Sequence, residues 1–162
     1  MRRTTLENIK LFAIAIVIPL AVGGLSAYLT RGNMQLYSEV NTPPLAPPSI
    51  LFPIVWTLLY ILMGVSSALV WANRKKEVKA AEAGISAYAV SLAFNFVWSL
   101  IFFNFRAFGF AFWWLIVLLL LILLTIYFYR KVSPVAAYLQ IPYAVWVAFA
   151  GYLNAGIWWL NR

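Results

Sequence analysis

Cysteine and histidine are both absent from this chain of 162 residues. Without cysteine there can be no disulfide, thiolate nucleophile, iron–sulfur cluster or zinc–thiolate site. Without histidine the chain lacks the usual general base near neutral pH and the commonest protein ligand of haem and other metals. The sequence therefore predicts no metal site and no obligatory cofactor.

Acidic residues are also scarce. The chain has four of them, Glu7, Glu39, Glu77 and Glu82, and none lies inside a long apolar run. Hydrolysis by paired carboxylates and proton relays of buried acids are therefore not expected. The 12 Lys and Arg residues give a net charge of +8. In a membrane protein such charge sets the topology and contacts anionic lipid, so a nucleic-acid partner is not expected.

Hydrophobic residues, in contrast, make up 65% of the chain, and charged residues only 10%. Soluble domains are roughly 45–50% apolar and about 25% charged. A globule of this size could not hide so much apolar surface from water. The composition therefore predicts an all-α integral membrane protein with a single domain over residues 1–162.

Five apolar segments each have about the 20 residues that a helix needs to cross a bilayer. They cover approximately residues 9–29, 51–72, 83–105, 108–130 and 135–160. We expect a compact bundle of five transmembrane helices. Arg2 and Arg3 before the first segment are also compatible with a secretory signal. A retained helix is favoured because the run is long enough to span the membrane and nothing downstream is typical of a soluble domain.

The long connection at residues 30–50 is the exception among otherwise short turns. It contains Pro43-Pro44 and Pro47-Pro48, which predict a stiff extended or turn segment. A loop of this length is often a functional lid. Composition alone does not distinguish a lid from a plain rigid connector.

Aromatic and hydrogen-bonding residues recur at helical spacing in three of the predicted helices. The second has Trp56, Tyr60, Gly64 and Ser67; the third has Asn95, Trp98, Ser99 and Phe102; the fifth has Pro142, Trp146, Phe149, Leu153 and Asn154. Three converging stripes would enclose a flat apolar molecule, with a few polar groups to orient it. The alternative for the two asparagines is that they link helices to one another.

Other residues suggest membrane interfaces and helix contacts. Tryptophan and tyrosine form belts at the interfaces, and we assign six residues to such belts: Trp113, Trp114, Tyr127, Tyr129, Trp158 and Trp159. Small residues four apart allow close helix approach. Ala83 and Ala87 are interpreted as a dimer contact, and Gly151 and Ala155 as internal packing.

Four segments together resemble the TspO/MBR family, the translocator proteins or peripheral-type benzodiazepine receptors. They are "NTPPLAPP" (41–48), "PIVWTLLYILMG" (53–64), "LAFNFVWSLIFF" (92–103) and "VSPVAAYLQIPYAVWVAFAGYLNAGIWWLN" (132–161). The resemblance implies five helices around a cavity beneath the first loop, and a homodimer in bacterial members. It also implies binding of protoporphyrin IX and haem, of sterols, and of benzodiazepine-type ligands.

The resemblance also implies a set of ligand-binding positions. These are Trp56, Tyr60, Phe94, Asn95, Trp98, Tyr143, Trp146, Phe149 and Leu153. Some bacterial members are reported to promote light-dependent porphyrin breakdown with cavity tryptophans, which makes Trp56 and Trp146 the candidate catalytic residues here.

The chain departs from the family pattern at several positions. Thr42 replaces the usual loop lysine, Leu45 the usual loop tryptophan, and Trp114 an acidic residue common in the fourth helix. The sterol-recognition pattern needs a tyrosine after Leu153-Asn154, where this chain has Ala155. Porphyrins are therefore a better expectation than sterols.

Three functions remain open at this stage. The first is a membrane receptor or sensor that binds tetrapyrroles and aids their transport or disposal. The second is an enzyme for tryptophan-assisted photo-oxidation of porphyrin, although the chain has no conventional catalytic constellation. The third is a small-molecule transporter, and the lack of acidic residues inside the spans argues against ion coupling.

The distribution of basic residues predicts the orientation. With five alternating helices, nine Lys and Arg residues fall on one side and three on the other. The nine are Arg2, Arg3, Lys10, Arg74, Lys75, Lys76, Lys79, Arg130 and Lys131, and the three are Arg31, Arg106 and Arg162. Positive residues favour the cytoplasm, so we expect a multi-pass protein of the cell (inner) membrane with a cytoplasmic N-terminus.

We therefore predict that a reporter fused after Arg162 lies outside the cytoplasm, together with the loop at residues 30–50. A reporter pair that is active on opposite sides of the membrane measures this, with insertion into the basic turn near Arg74 as the control. Activity of the cytoplasmic reporter at the C-terminus would contradict the orientation.

Overall fold

The computed structural model describes residues 4–162, which are helical over most of their length. The α-helices are α1 (Thr5–Thr30), α2 (Leu36–Glu39), α3 (Leu51–Asn73), α4 (Val78–Ser99), α5 (Phe108–Val132) and α6 (Pro134–Leu160). Five of them, all except α2, belong to stretches long and apolar enough to cross a membrane. No strand is present within residues 4–162. The predicted all-α membrane bundle is confirmed.

Two helices begin earlier than their apolar runs. Thr4 caps α1, because its Oγ1 accepts a hydrogen bond from the backbone N–H of Glu7 (3.3 Å) and its own N–H donates to Glu7 Oε2 (2.8 Å). Helix α4 begins at Val78 rather than near residue 83. Hydropathy locates the bilayer-spanning part, whereas Lys79 and Glu82 continue the helix beyond it.

Helix α4 ends in a π-turn at Leu100–Asn104. The N–H of Phe105 donates to the carbonyl of Leu100 at 3.1 Å, which closes a wider ring than an α-helix has. Arg106 then adopts a left-handed conformation with φ of 52°. The turn into α5 follows within a few residues.

A single residue separates α5 from α6. The N–H of Ser133 donates to the carbonyl of Tyr129 at 2.8 Å, which closes α5. Its hydroxyl accepts from the N–H of Ala136 at 3.4 Å, and Pro134 takes the first helical position, where no N–H is needed. Ser133 therefore fixes two antiparallel helices against each other.

The long loop lies across one end of the bundle. Asn41 and Asn161 exchange two hydrogen bonds of 2.9 Å, and the Tyr152 hydroxyl donates to the carbonyl of Pro44 at 2.7 Å. Arg106 pairs with Glu39 at 2.9 Å. These contacts place the loop, the α4–α5 turn and the C-terminus at one end, which we call the loop end.

Basic residues divide between the two ends as predicted. The loop end has Arg31, Arg106 and Arg162, and the opposite end has the two basic turns at 74–79 and 130–131. Arg2 and Arg3, which belong to the predicted cytoplasmic set, lie outside the described residues. The side of the membrane that each end faces stays a prediction.

The helices pack in the order α1, α3, α6, α5 and α4 around the bundle, and α1 contacts α4 only lightly. Helices α1 and α3 approach most closely at Gly64, where a Cβ would lie 2.5 Å from Ile16 Cα and 2.7 Å from the Ala15 carbonyl oxygen. That carbonyl has no partner within α1, because Pro19 lacks the N–H that would bond to it.

Three interpretations from sequence are wrong. Tyr129 was assigned to an interfacial belt but is fully buried, packed against Gly84 and Tyr88. Trp114 turns inward, stacks on Phe94 at 4.3 Å and donates its indole N–H to the Phe94 carbonyl at 2.8 Å. Ala87 is 7% exposed within the single chain, so the pair of Ala83 and Ala87 does not offer a free dimer surface.

The close approach at Gly64 gives a stability prediction. Gly64→Ala should lower the free energy of unfolding by about 1–3 kcal/mol, because the added Cβ meets backbone atoms of α1 that cannot move independently. Thermal unfolding of the detergent-solubilised protein measures this. Gly32→Ala is the matched control, since no atom lies within 4 Å of its Cβ position. Equal stability of the two variants would show that α1 moves freely against α3.

Candidate ligand-binding cavity

A cavity of about 310 Å³ lies beneath the loop, between α1, α3, α4 and α6. Its volume falls within the range of roughly 300–1,000 Å³ that is usual for small-molecule sites. Among the described residues that line it there is no Lys, Arg, Asp or Glu. A cavity of this kind favours the apolar part of a ligand, whereas a charged group such as a carboxylate would keep its hydration only at the exposed rim, near Met34.

Aromatic rings form much of the wall. Trp56 stacks on Tyr60 with a centroid distance of 5.6 Å and an angle of 27°. On the other side, Trp98 lies 5.3 Å from Phe102, and Phe102 meets Phe103 edge to face at 5.0 Å. The π-turn allows Phe102 and Phe103, which are adjacent in sequence, both to line the same cavity.

The loop supplies the roof. Tyr37 of α2 and Phe52 of α3 meet edge to face at 5.0 Å and line the end nearest the loop. The Tyr37 hydroxyl is buried without a partner, and this burial raises the pKa of Tyr37 above its ordinary value. Tyr37 therefore stays a neutral phenol at physiological pH.

Four of the nine ligand-binding positions taken from the family resemblance line this cavity: Trp56, Tyr60, Trp98 and Leu153. The other five, Phe94, Asn95, Tyr143, Trp146 and Phe149, lie outside its wall. Phe94 faces Trp114 instead. Trp146 packs against Phe52 and Phe149 at 5.9 Å and 5.6 Å, so it supports the roof from behind.

Asn95 lies directly behind the wall and joins three helices. Its Oδ1 accepts a hydrogen bond from the Tyr60 hydroxyl at 3.0 Å, and its Nδ2 donates to the Tyr143 hydroxyl at 3.1 Å. All three residues are buried. The alternative reading of Asn95 as a link between helices is thus what the geometry shows, and the link also fixes the orientation of the Tyr60 ring in the wall.

Asn154 has a similar position on α6, at the edge of the cavity. Its Oδ1 accepts from the Trp98 indole N–H at 3.2 Å, and its Nδ2 donates to the Phe108 carbonyl at 2.7 Å. The amide therefore orients Trp98 and ties α6 to α4 and α5. Each asparagine therefore bonds to one residue that lines the cavity and to one that lies behind it.

Sequence reasoning missed the contribution of α1. Leu20, Gly23, Gly24, Ser26, Ala27 and Thr30 all line the cavity. Gly23 is needed because the Tyr60 ring lies directly against the α1 backbone there. The spacing of three and four among the small residues at 23–27 could have indicated a helix face against a neighbour.

Comparisons with known proteins agree with this architecture. The family model for the TspO/MBR family matches residues 15–160. The chain belongs to the TspO/MBR family. It is 36% identical to a translocator protein of Bos taurus over 147 residues, which is 90% of this chain and 87% of that protein.

Microbial TspO/MBR relatives match over even more of the chain. Identity is 35% with the tryptophan-rich protein TspO of Chlorobaculum tepidum, over 96% of this chain and 98% of that protein. Identity is 32% with the protein CrtK of Rhodobacter capsulatus, over 95% and 94%. Family membership supports a translocator or receptor role in a membrane for this TspO/MBR chain.

The position of Asn95 gives a second stability prediction. Asn95→Leu should cost about 1–3 kcal/mol, because it leaves the Tyr60 and Tyr143 hydroxyls buried without this partner. Thermal unfolding in detergent measures the loss. Asn73→Leu is the control, since the Asn73 amide bonds only to Leu69 of its own helix. Similar losses for both variants would argue against a special role of Asn95.

Proposed function

We propose that this TspO/MBR protein is a membrane receptor or sensor that binds tetrapyrroles, such as protoporphyrin IX and haem, and other flat hydrophobic molecules in the cavity beneath the loop. Binding would aid the transport or disposal of these molecules. The observation that carries the proposal is the uncharged, aromatic wall, in which the Trp56 indole lies stacked on the Tyr60 ring and both line the cavity. Such a surface offers stacking area to a planar ligand.

Recognition would depend on shape and stacking rather than on a metal. Haem iron is commonly bound by His or Cys, and the chain has neither. Of the cavity residues, Met34 is 47% exposed at the rim, and the Tyr37 hydroxyl is buried. A metal-free porphyrin is therefore expected to bind at least as tightly as haem.

The photo-oxidative alternative is favoured by one observation, the position of Trp56 in the wall. An excited porphyrin held against Trp56 would take one electron from the indole, which gives a porphyrin radical anion and an indole radical cation. Oxidative loss of the porphyrin would then require dioxygen as the electron acceptor. Trp146, the second candidate, lies behind Phe52, which makes its part indirect. A homodimer in the inner membrane, with a cytoplasmic N-terminus, completes the proposal.

The two tryptophans provide a matched pair of variants. Trp56→Phe should weaken protoporphyrin IX binding by about 1 kcal/mol, since the phenyl ring keeps the burial but offers less stacking surface. Trp146→Phe should leave binding nearly unchanged, because Trp146 does not line the cavity. Quenching of intrinsic fluorescence during titration with protoporphyrin IX and with haem measures both affinities.

The same variants separate binding from photochemistry. If the rate of light-driven porphyrin loss falls much further than the affinity in Trp56→Phe, the result supports the enzymatic alternative. If the rate of light-driven porphyrin loss falls only as much as the affinity does, Trp56 is a binding residue and not a catalytic one. If Trp56→Phe binds like the parent while Trp146→Phe does not, the cavity has been assigned to the wrong side of Phe52.

A further inference from the structure

We propose that ligand reaches this cavity from the hydrocarbon of the bilayer, through an opening in the seam between α1 and α3 near the loop end. The proposal rests on the proposed function, and it adds that the protein takes its ligand from lipid rather than from water.

The exposure of the lining residues locates the opening. Gly24 and Ala27 of α1 and Pro53 and Thr57 of α3 line the cavity and are also exposed at the surface of the bundle. On the opposite wall, Trp98 and Phe102 are only 8% and 4% exposed. The cavity wall is therefore incomplete along the α1–α3 seam, which faces lipid in a membrane-spanning bundle.

The seam is in close contact at mid-depth. The two backbones meet at Gly64, and the Tyr60 ring closes against Gly23. One residue further along α1, a Cβ built on Gly24 meets no atom within 4 Å. Gly24 points about 100° further round α1 than Gly23 and therefore faces free space beside the seam.

The rim of the opening is suited to lipid. The Thr57 hydroxyl donates to the Pro53 carbonyl at 2.7 Å, so neither group needs water. Pro53 has no N–H, and Gly24 and Ala27 have no polar side chain. A flat hydrophobic molecule could pass this rim without breaking a hydrogen bond of the protein.

On its aqueous side the cavity has exposed lining residues at Met34 and Ser49, but toward α6 it is closed by several contacts with the loop. The loop bonds to α6 through Asn41 and Asn161 and through Pro44 and Tyr152. Pro43 packs so closely on α6 that a Cβ on Gly156 would lie 2.5 Å from its ring. Passage between the loop and α6 would have to break these contacts.

The second seam of α1, toward α4, is also closed near the loop. The Asn104 amide donates to the Leu29 carbonyl at 3.2 Å and accepts from the Asn33 amide at 2.9 Å. Ser26 and Thr30 of α1, which line the cavity, are buried. Passage through the α1–α3 seam leaves these hydrogen bonds intact, unlike passage beside α6 or between α1 and α4.

Because the chain has no cysteine, a reversible bridge can test the opening. Gly24→Cys and Thr57→Cys are introduced together, the protein is reconstituted in vesicles, and a short bis-methanethiosulfonate joins the two thiols. The bridge should slow association and dissociation of protoporphyrin IX by about tenfold or more, as expected when a gate limits exchange. Affinity should change much less, and reduction of the bridge should restore both rates.

The matched control bridges the loop instead. Asn41→Cys with Asn161→Cys fixes the loop to α6 where the two residues already touch, and the rates should then stay within about twofold of the parent. Slow exchange with the loop bridge but not with the seam bridge would overturn the proposal in favour of passage under the loop. Unchanged rates with both bridges would overturn it as well.

A second probe separates this proposal from the proposed function. Pyrene, a flat hydrocarbon without carboxylates, is dissolved in the same vesicles, and energy transfer from Trp56 is followed against the Trp56→Phe variant. If protoporphyrin IX fails to bind but pyrene exchange is slowed by the seam bridge, tetrapyrrole recognition is wrong and the opening stands. If neither probe reaches Trp56 in the parent, the opening is wrong too.

Discussion

The side-chain amide of Asn95 satisfies two tyrosine hydroxyls from two other helices in a region without water. A polar group in the bilayer must find a partner inside the protein, so Tyr60, Asn95 and Tyr143 constrain one another's positions. This constraint fixes the rotation of α3 and α6 relative to α4. Two contacts depend on that rotation: the stacking of Tyr60 on Trp56 in the cavity wall, and the packing of Tyr60 against Gly23.

The cavity combines two properties that follow from the same shortage of ionisable groups. With four acidic residues and no histidine in the chain, the helices have few charged side chains to place, and the wall is built from aromatic rings and satisfied amides. Such a wall offers contact area to a ligand without requiring a charged group on that ligand as a partner. Specificity then depends on the shape of the space and on how rigidly the rings are held, which is where Asn95 and Asn154 act.

Much of the fold could be predicted from sequence, because apolar runs of sufficient length have few alternatives in a membrane. The rotation of each helix could not. The spacing of Trp146, Phe149 and Leu153 identifies a stripe on α6, but only Leu153 reaches the cavity. Periodicity locates a face and not its partner. The contribution of α1 was missed for a related reason. Glycine, alanine and serine line a cavity because their small side chains leave space, and the sequence does not show where that space lies.

The π-turn at Leu100–Asn104 has the geometry of an α-helix into which one residue has been inserted. In an alignment of related sequences, a one-residue gap at this place would fall within a helix rather than in a loop. Its removal would rotate the following residues by about 100° and carry Phe102 or Phe103 away from the cavity. An insertion or deletion here would therefore change the shape of the cavity wall even when no residue that lines it is substituted.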